Sequence, residues 1–260
     1  MKRFTTVNRG DDASRIACKY IEDSLTQVGF IKDTTNPELV VVIGGDGTLL
    51  KAFHKWLDKI EHLKFVGIHS GTLGFSTDYT VNQLDDFIYD VQHNEPVIEE
   101  KRILKATCSN EGNSFEVFAL NEIRVENIVK TQEMDVYLDH DYFESFRGNG
   151  LCISGQYGST AYNRSIAGAV IFPGLDLLQI TEISGIHHRY ARSLGSPLIV
   201  SPETCVTLKN KEFTHALLCY DNLHLHLDGI TQVEVSSFSK TMKFAHYNNI
   251  SHIERLNALF

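Results

Sequence analysis

The stretch Leu39-Val40-Val41-Val42-Ile43-Gly44-Gly45-Asp46-Gly47-Thr48 decides the fold. Its first half is a continuous apolar run of strand length. A strand that is apolar on both faces predicts the interior of a parallel sheet covered by helices on each side. Three glycines and an aspartate follow at once, and a helical stretch then runs from Leu49 to about Ile60. Ligands of open α/β sheets bind outside the carboxyl ends of the strands, which is where this loop falls. Glycines let the backbone approach an anion, and the following helix aims its first amides at the same spot. Gly44, Gly45 and Gly47 are therefore candidate phosphate ligands. Lys51, one helical turn on, either steadies a phosphate or belongs to a solvated helix face. An aspartate repels phosphate, so Asp46 suits a general base, or a metal ligand acting through water. The alternative is a tight turn in which its carboxylate bonds locally.

The flanking sequence continues the pattern. Phe4 to Asn8 reads as a short strand, and Asp11-Asp12 opens a helix at the end its dipole favours for acids. Ile16, Ala17, Tyr20, Ile21, Leu25 and Val28 recur at helical spacing up to Gly29. Phe65-Val66-Gly67-Ile68 is a second buried strand, followed by His69-Ser70-Gly71-Thr72-Leu73-Gly74-Phe75. Val81 to Val91 reads as a helix that Pro96 stops. Strand–helix–strand–helix order predicts an open α/β domain with a mostly parallel sheet over residues 1–97.

Beyond Pro96 the period changes from about 3.6 to 2. Phe115, Val117 and Ala119 alternate with other residues, as do Met134, Val136 and Leu138, and Leu223, Leu225 and Leu227. Each series predicts a strand with one wet face. Only the stretch from about Ser159 to Ile183 carries helical spacing. Residues 98–249 are thus expected to form a β-rich domain. Ile253, Leu256 and Leu259 predict a final helix, about 250–260, that folds back on the first domain.

Composition narrows the function. The 260 residues include 42% hydrophobic and 22% charged residues, with a formal net charge of −9. Without a long basic run, a nucleic-acid partner is disfavoured. No stretch nears the roughly 20 apolar residues that cross a bilayer. No apolar signal core follows Met1-Lys2-Arg3, so a cytoplasmic location and no membrane partner are expected. The five cysteines and 12 histidines show no metal-ligand spacing, so free thiols and no protein-held metal site are expected. His187-His188, being adjacent, point to different faces of any regular element.

Four blocks carry a resemblance. Gly44-Gly45-Asp46-Gly47-Thr48 resembles the signature shared by NAD kinases, diacylglycerol and sphingosine kinases and, less closely, phosphofructokinases. Leu73-Gly74-Phe75, Leu120-Asn121-Glu122 and the Gly158-Ser159-Thr160-Ala161-Tyr162 segment running on to Ala169 are similar, in order and spacing, to elements of NAD kinases. Together they span roughly residues 39 to 230. The resemblance implies transfer of a phosphoryl group from ATP or another donor to the 2′-hydroxyl of the adenosine ribose of NAD, giving NADP. It implies Mg²⁺ as cofactor, NAD and a nucleoside triphosphate as partners, and a homodimer or homotetramer in which Tyr190 reaches a neighbour's site.

The same resemblance assigns roles. Asp46 would take the proton from the ribose hydroxyl, and Gly47 would let that sugar approach. Asn121 and Glu122 would bind ribose hydroxyls and the diphosphate region. Phe75 would pack near the adenine or simply fill core. Thr160, Ala161, Tyr162, Asn163 and Ser165 would line the base pockets, with Ser159 or Thr160 also suited to cap a helix. Ser184 would face the nicotinamide end. Arg147 is either a phosphate or adenine-ribose contact or an exposed strand-end arginine.

Three places depart from the family pattern. Asn149 stands where many members have aspartate, Gln156-Tyr157 where Pro-Thr or similar is usual, and Asp221-Asn222 where Asp-Gly is common. Asn149 keeps hydrogen-bonding capacity without the charge, and Tyr157 reshapes the pocket. Asn222 faces the donor or phosphate site or is a hairpin turn residue. Two readings besides the kinase stay open on these departures: an NAD(H)-binding redox sensor of weak activity, and a kinase of a lipid or another diol.

Overall fold

The computed structural model describes residues 2–71, 75–187, 193–248 and 250–257. The chain divides into two compact units, Met1–Lys101 with Lys240–Phe260, and Arg102–Ser239.

In the first unit, strands β1 (Arg3–Asn8), β2 (Ile31–Lys32), β3 (Leu39–Ile43), β4 (Lys64–His69) and β5 (Tyr79–Thr80) alternate with helices α1 (Asp12–Gln27), α2 (Asp46–Trp56) and α3 (Leu84–His93). β3 pairs in parallel with β1 on one edge and β4 on the other. All five of its residues are buried. Helix α1 begins where Asp11 accepts the Ser14 amide at 2.8 Å, and the chain turns away at Gly29, whose φ is +91°. Ala17, Cys18, Ile21 and Leu25 face the core, whereas Ile16 and Tyr20 are exposed. Helix α2 begins at Asp46, three residues before the expected Leu49. It gives way at Leu57–His62 to a 3₁₀ turn. The start is early because Gly45, extended at φ −100°, can serve as N-cap directly after the strand.

The second unit contains β6 (Val97–Ser109, from Arg102 on), β7 (Ser114–Ala119), β8 (Glu122–Glu126), β9 (Gln132–Leu138), β10 (Asp141–Gly148) and β11 (Gly150–Gly155). It continues with α4 (Tyr162–Ser165), β12 (Leu178–Ile183), β13 (Leu198–Val200), β14 (Val206–Lys209), β15 (Leu217–Tyr220), β16 (Leu223–His226) and the first part of β17 (Gln232–His246). One sheet runs β13-β12-β11-β8-β15-β16 with every pair antiparallel. The pairs β10–β9, β9–β14, β14–β17 and β6–β7 are antiparallel too. One apolar cluster from Leu104 to Val235 forms the core.

Three expectations are corrected. The 159–183 region holds only a 3₁₀ turn (Tyr157–Thr160) and the four-residue α4, and Leu178–Ile183 is a strand. Its apolar residues meet the core as an extended segment. Leu223 and Leu225 are exposed with their neighbours, because β16 is an edge strand; only Leu227, beyond the strand, is buried. The return to the first unit starts at Lys240 rather than near 250, because Lys243 and Phe244 of β17 pair in parallel with Lys64 and Phe65. The last helix, α5, spans His252–Asn257; Leu259 lies outside the described residues.

Replacing Ile43 by alanine removes a fully buried side chain from the central strand. Urea unfolding should show a loss of about 2–5 kcal/mol. Ile16→Ala, at a position 72% exposed, should change stability by less than about 0.5 kcal/mol.

Candidate active site

Parallel pairing places Asn8 beside Ile43 and Ile43 beside Ile68. The segments that follow β1, β3 and β4 therefore leave the sheet at one edge. They build a cleft of about 370 Å³ lined by Arg9, Gly45, Gly47, Thr48, Lys51 and His69. Gly44 is required here: a Cβ would lie 2.2 Å from Thr48 Oγ1. A Cβ on Gly47 would meet nothing, so its missing side chain leaves room in the cleft and not in the protein. No side chain caps α2, so its first amides remain available to an anion. Asp46, on that first turn, is exposed rather than enclosed by packed side chains. Lys51 is exposed and makes no ion pair among the described residues.

Arg9 and His69 were not singled out from the sequence. Arg9 holds Asp11 at 3.3 Å, and its amide donates to the Ile43 carbonyl. His69 Nδ1 accepts the Gly71 amide at 2.8 Å, so the neutral ring carries its proton on Nε2. Nε2 is also the atom nearest to where a Gly45 side chain would sit, at 3.4 Å. The signal was available in principle: both residues occupy the carboxyl end of a strand neighbouring β3. Thr72, Leu73 and Gly74 lie outside the described residues. Phe75, directly after them, is half-buried.

A second group of residues forms within the other unit. The buried Asp221, in the β15–β16 turn with φ +52°, accepts the backbone amides of Leu120 at 3.0 Å and Asn121 at 2.7 Å. Gly158 packs on the same backbone, where a Cβ would fall 1.9 Å from the Asn121 carbonyl oxygen. The Asn121-Glu122 and Gly158–Tyr162 blocks, far apart in sequence, are thus adjacent. Along β8, Glu122, Arg124 and Glu126 share a face by strand alternation. Arg124 donates to both Glu126 oxygens at 3.1 Å and lies 3.8 Å from Glu122 Oε1. Its guanidinium stacks 3.8 Å from the centroid of the Tyr162 ring. Arg124 also went unrecognised in the sequence, although its i, i+2 spacing from Glu122 made it legible.

Glu122 is 3% exposed, and its Oε2 has no hydrogen-bond partner. Burial lifts its carboxyl to about 7 against the nearby Arg124; Asp221 and Glu126 add to the rise. A buried carboxylate oxygen without a donor is suited to receive hydroxyls from outside.

The remaining candidates divide into contacts and supports. Thr160, Ala161 and Tyr162 are partly accessible. Ser165 is exposed but donates to the Tyr162 carbonyl at 2.6 Å. Asn163 is fully buried; it accepts from Thr181 at 2.8 Å and donates toward Ser159 and Ala169. Tyr157 is buried. Ser159 bonds Gln156 and Ile171 rather than capping a helix. Asn149 donates to the Asn127 carbonyl at 2.9 Å, a bond that an ionised aspartate could not make. Arg147 is an exposed strand residue paired with Glu133 at 3.3 Å. Ser184 is exposed at φ +49° and Asn222 is exposed in the β15–β16 turn. Tyr190 lies outside the described residues. The described residues hold no cluster of three metal-binding side chains, and all five cysteines are free.

Residues 3–95 match the ATP-NAD kinase N-terminal domain family, and residues 120–246 match the ATP-NAD kinase C-terminal domain family. The chain belongs to the NAD kinase family. An NAD kinase of Lactobacillus delbrueckii subsp. bulgaricus is 36% identical over 255 residues, covering 95% of this chain and 94% of its own. An NAD kinase of Geobacillus stearothermophilus is 32% identical over 259 residues, covering 99% and 96%. Among solved structures, a yeast NADH kinase complexed with NADH matches with a TM-score of 0.81 at 16% identity, covering 100% of this chain and 86% of that one. An NAD kinase from Archaeoglobus fulgidus in complex with ATP matches at 0.77 and 22%, covering 99% and 98%. The solved structures share the fold; family membership makes the activity that of an NAD kinase, which phosphorylates NAD to NADP. No helix among the described residues is long and apolar enough to cross a membrane.

Glu122 generates a pH test. Its folded-state value of about 7 exceeds the ordinary 4.5, so between these the folded protein keeps a proton that the unfolded chain releases. Its contribution to stability therefore falls as pH rises across that window. Glu122→Gln, always neutral, lacks this slope. Urea unfolding at pH 5 and pH 8 should show the variant gaining on the parent as pH rises; a constant difference would show that Glu122 titrates normally.

Proposed function

We propose that Asp46 is the general base of the reaction, accepting the proton of the ribose 2′-hydroxyl as its oxygen bonds to the γ-phosphorus of ATP. The bond from that phosphorus to the β,γ-bridging oxygen breaks, and ADP leaves. The observation that carries this reading is the exposed carboxylate on the first turn of an uncapped helix, next to a cleft with Lys51, Arg9 and His69 along its wall. The uncapped amides and the cations supply positive potential where negative charge spreads over the transferring phosphoryl group. ATP as donor is supported by the ATP complex of the Archaeoglobus relative, and a dinucleotide acceptor by the NADH complex of the yeast one. Gly45, Gly47 and Lys51 take the phosphates, while Gly44, expected among them, supports the loop, because its amide donates to the Ile68 carbonyl at 2.9 Å. Mg²⁺ suits this arrangement as an ion carried by the donor phosphates, since the described residues offer no three-ligand cluster.

The NAD side follows from the second group. Glu122 and Asn121 receive ribose hydroxyls, and the Tyr162 ring, backed by Arg124, stacks on a base with Thr160 and Ala161 at its edge. Phe75 packs near the adenine. Asn163, Tyr157 and Asn149 act as supports, because their side chains are buried or bonded internally. Ser165, Ser184, Arg147 and Asn222 are accessible for outlying contacts. A homo-oligomer and a cytoplasmic setting belong to the same proposal. The accessible Leu223, Leu225 and Ile199 on edge strands support self-association.

Asp46→Asn should retain NAD binding by calorimetry while NADP formation drops by roughly 10²- to 10⁴-fold. Turnover at the parent rate would remove Asp46 as the base.

A further inference from the structure

The segment that follows Phe75 is held from the far end of the sequence. Arg255, in helix α5, is 5% exposed. Its Nη1 donates to the backbone carbonyls of Phe75 at 3.0 Å and Thr77 at 2.9 Å. Its Nη2 bonds the carboxylate of Asp78, itself 2% exposed. Asp78 also accepts from His246 Nδ1 at 2.9 Å, while the other ring nitrogen meets Glu99 at 3.1 Å. On the opposite side, Gly67 lets the segment lie against β4. A Cβ there would fall 2.4 Å from the Ser76 carbonyl oxygen, and the Asp78 amide donates to Gly67 at 2.9 Å.

We propose that Arg255 is a positioning residue of the reaction, fixing the backbone of Phe75 so that its ring meets the adenosine half of NAD. This rests on the reading of Phe75 as an adenine contact. The guanidinium is suited because one planar fork satisfies two carbonyls and a carboxylate at once. A carbonyl oxygen of a loop can turn to water when its donor is lost, and the residue it belongs to turns with it. Arg255 touches no reacting atom, so it acts on substrate affinity and not on the chemical step. Asp78 anchors the guanidinium that holds the loop, with His246 sharing the carboxylate.

Arg255→Met strips the buried Asp78 of its main cation and risks unfolding. Arg255→Lys keeps a charge for Asp78 but loses the fork, and is the decisive variant. With fold checked by thermal unfolding, KM for NAD should rise roughly tenfold, the scale of a lost charge-assisted hydrogen bond, with kcat within about twofold. Phe75→Ala should raise KM similarly, and the double variant should be no worse than Phe75→Ala alone. Hydrogen exchange at the amides of 76–78 should quicken in Arg255→Lys. Parental KM in Arg255→Lys with a raised KM in Phe75→Ala would overturn the positioning role. Parental KM in Phe75→Ala would instead overturn the adenine reading. Additive effects in the double variant would show that Arg255 acts elsewhere.

Discussion

The parallel register of β1, β3 and β4 is the constraint from which the cleft at the carboxyl end of the sheet follows. Backbone hydrogen bonds on both edges of β3 fix Asn8, Ile43 and Ile68 side by side. In an antiparallel sheet, neighbouring strands would deliver their following loops to opposite ends. Here all three deliver them to one edge, so an arginine, a glycine loop, a lysine and a histidine from distant stretches of sequence face one cleft. The apolar character of β3 therefore positions this cleft as well as stabilising the sheet. Burial of Val40, Val41, Val42 and Ile43, each worth about 1.5–3 kcal/mol, holds the strand whose end carries the aspartate.

The second unit solves a different problem, which is how to keep charges ready inside a β core. Asp221 is satisfied by two backbone amides, and Arg124 by Glu126 and an aromatic face. Glu122 is left one donor short. Its burial therefore carries a cost, which the ribose hydroxyls proposed to bind there would relieve.

The architecture was legible where local pattern and environment agree. The run Leu39–Ile43 predicted the interior strand of a parallel sheet, because burial on both faces leaves a continuous apolar signature. Alternation at Met134 and Val136 likewise revealed a strand. The stretch 159–183 misled because apolar residues spaced for a helix also suit a turn that runs into a strand. Leu223 and Leu225 misled because alternation does not reveal an edge. Asp46, Glu122 and Tyr162, the residues proposed to act, could be named from motifs, whereas the places of Arg9, His69, Asp221 and Arg255 depend on neighbouring elements distant along the chain. The bond from the Asn149 amide to the Asn127 carbonyl depends on the fold, which brings the two loops together.

Strand β17 spans 15 residues and has registers in both units: Val235 pairs with Val206, and Lys243 with Lys64. The parallel sheet of the first unit thus lacks one border until the ribosome has passed the whole intervening β-rich unit. During synthesis, the edge of β4 that β17 will cover stays open while the intervening β-rich unit emerges. Such late closure gives a long interval in which an unpaired strand invites wrong partners. Completion of the parallel sheet and of the β14–β17 pairing are thereby tied to the arrival of a single strand.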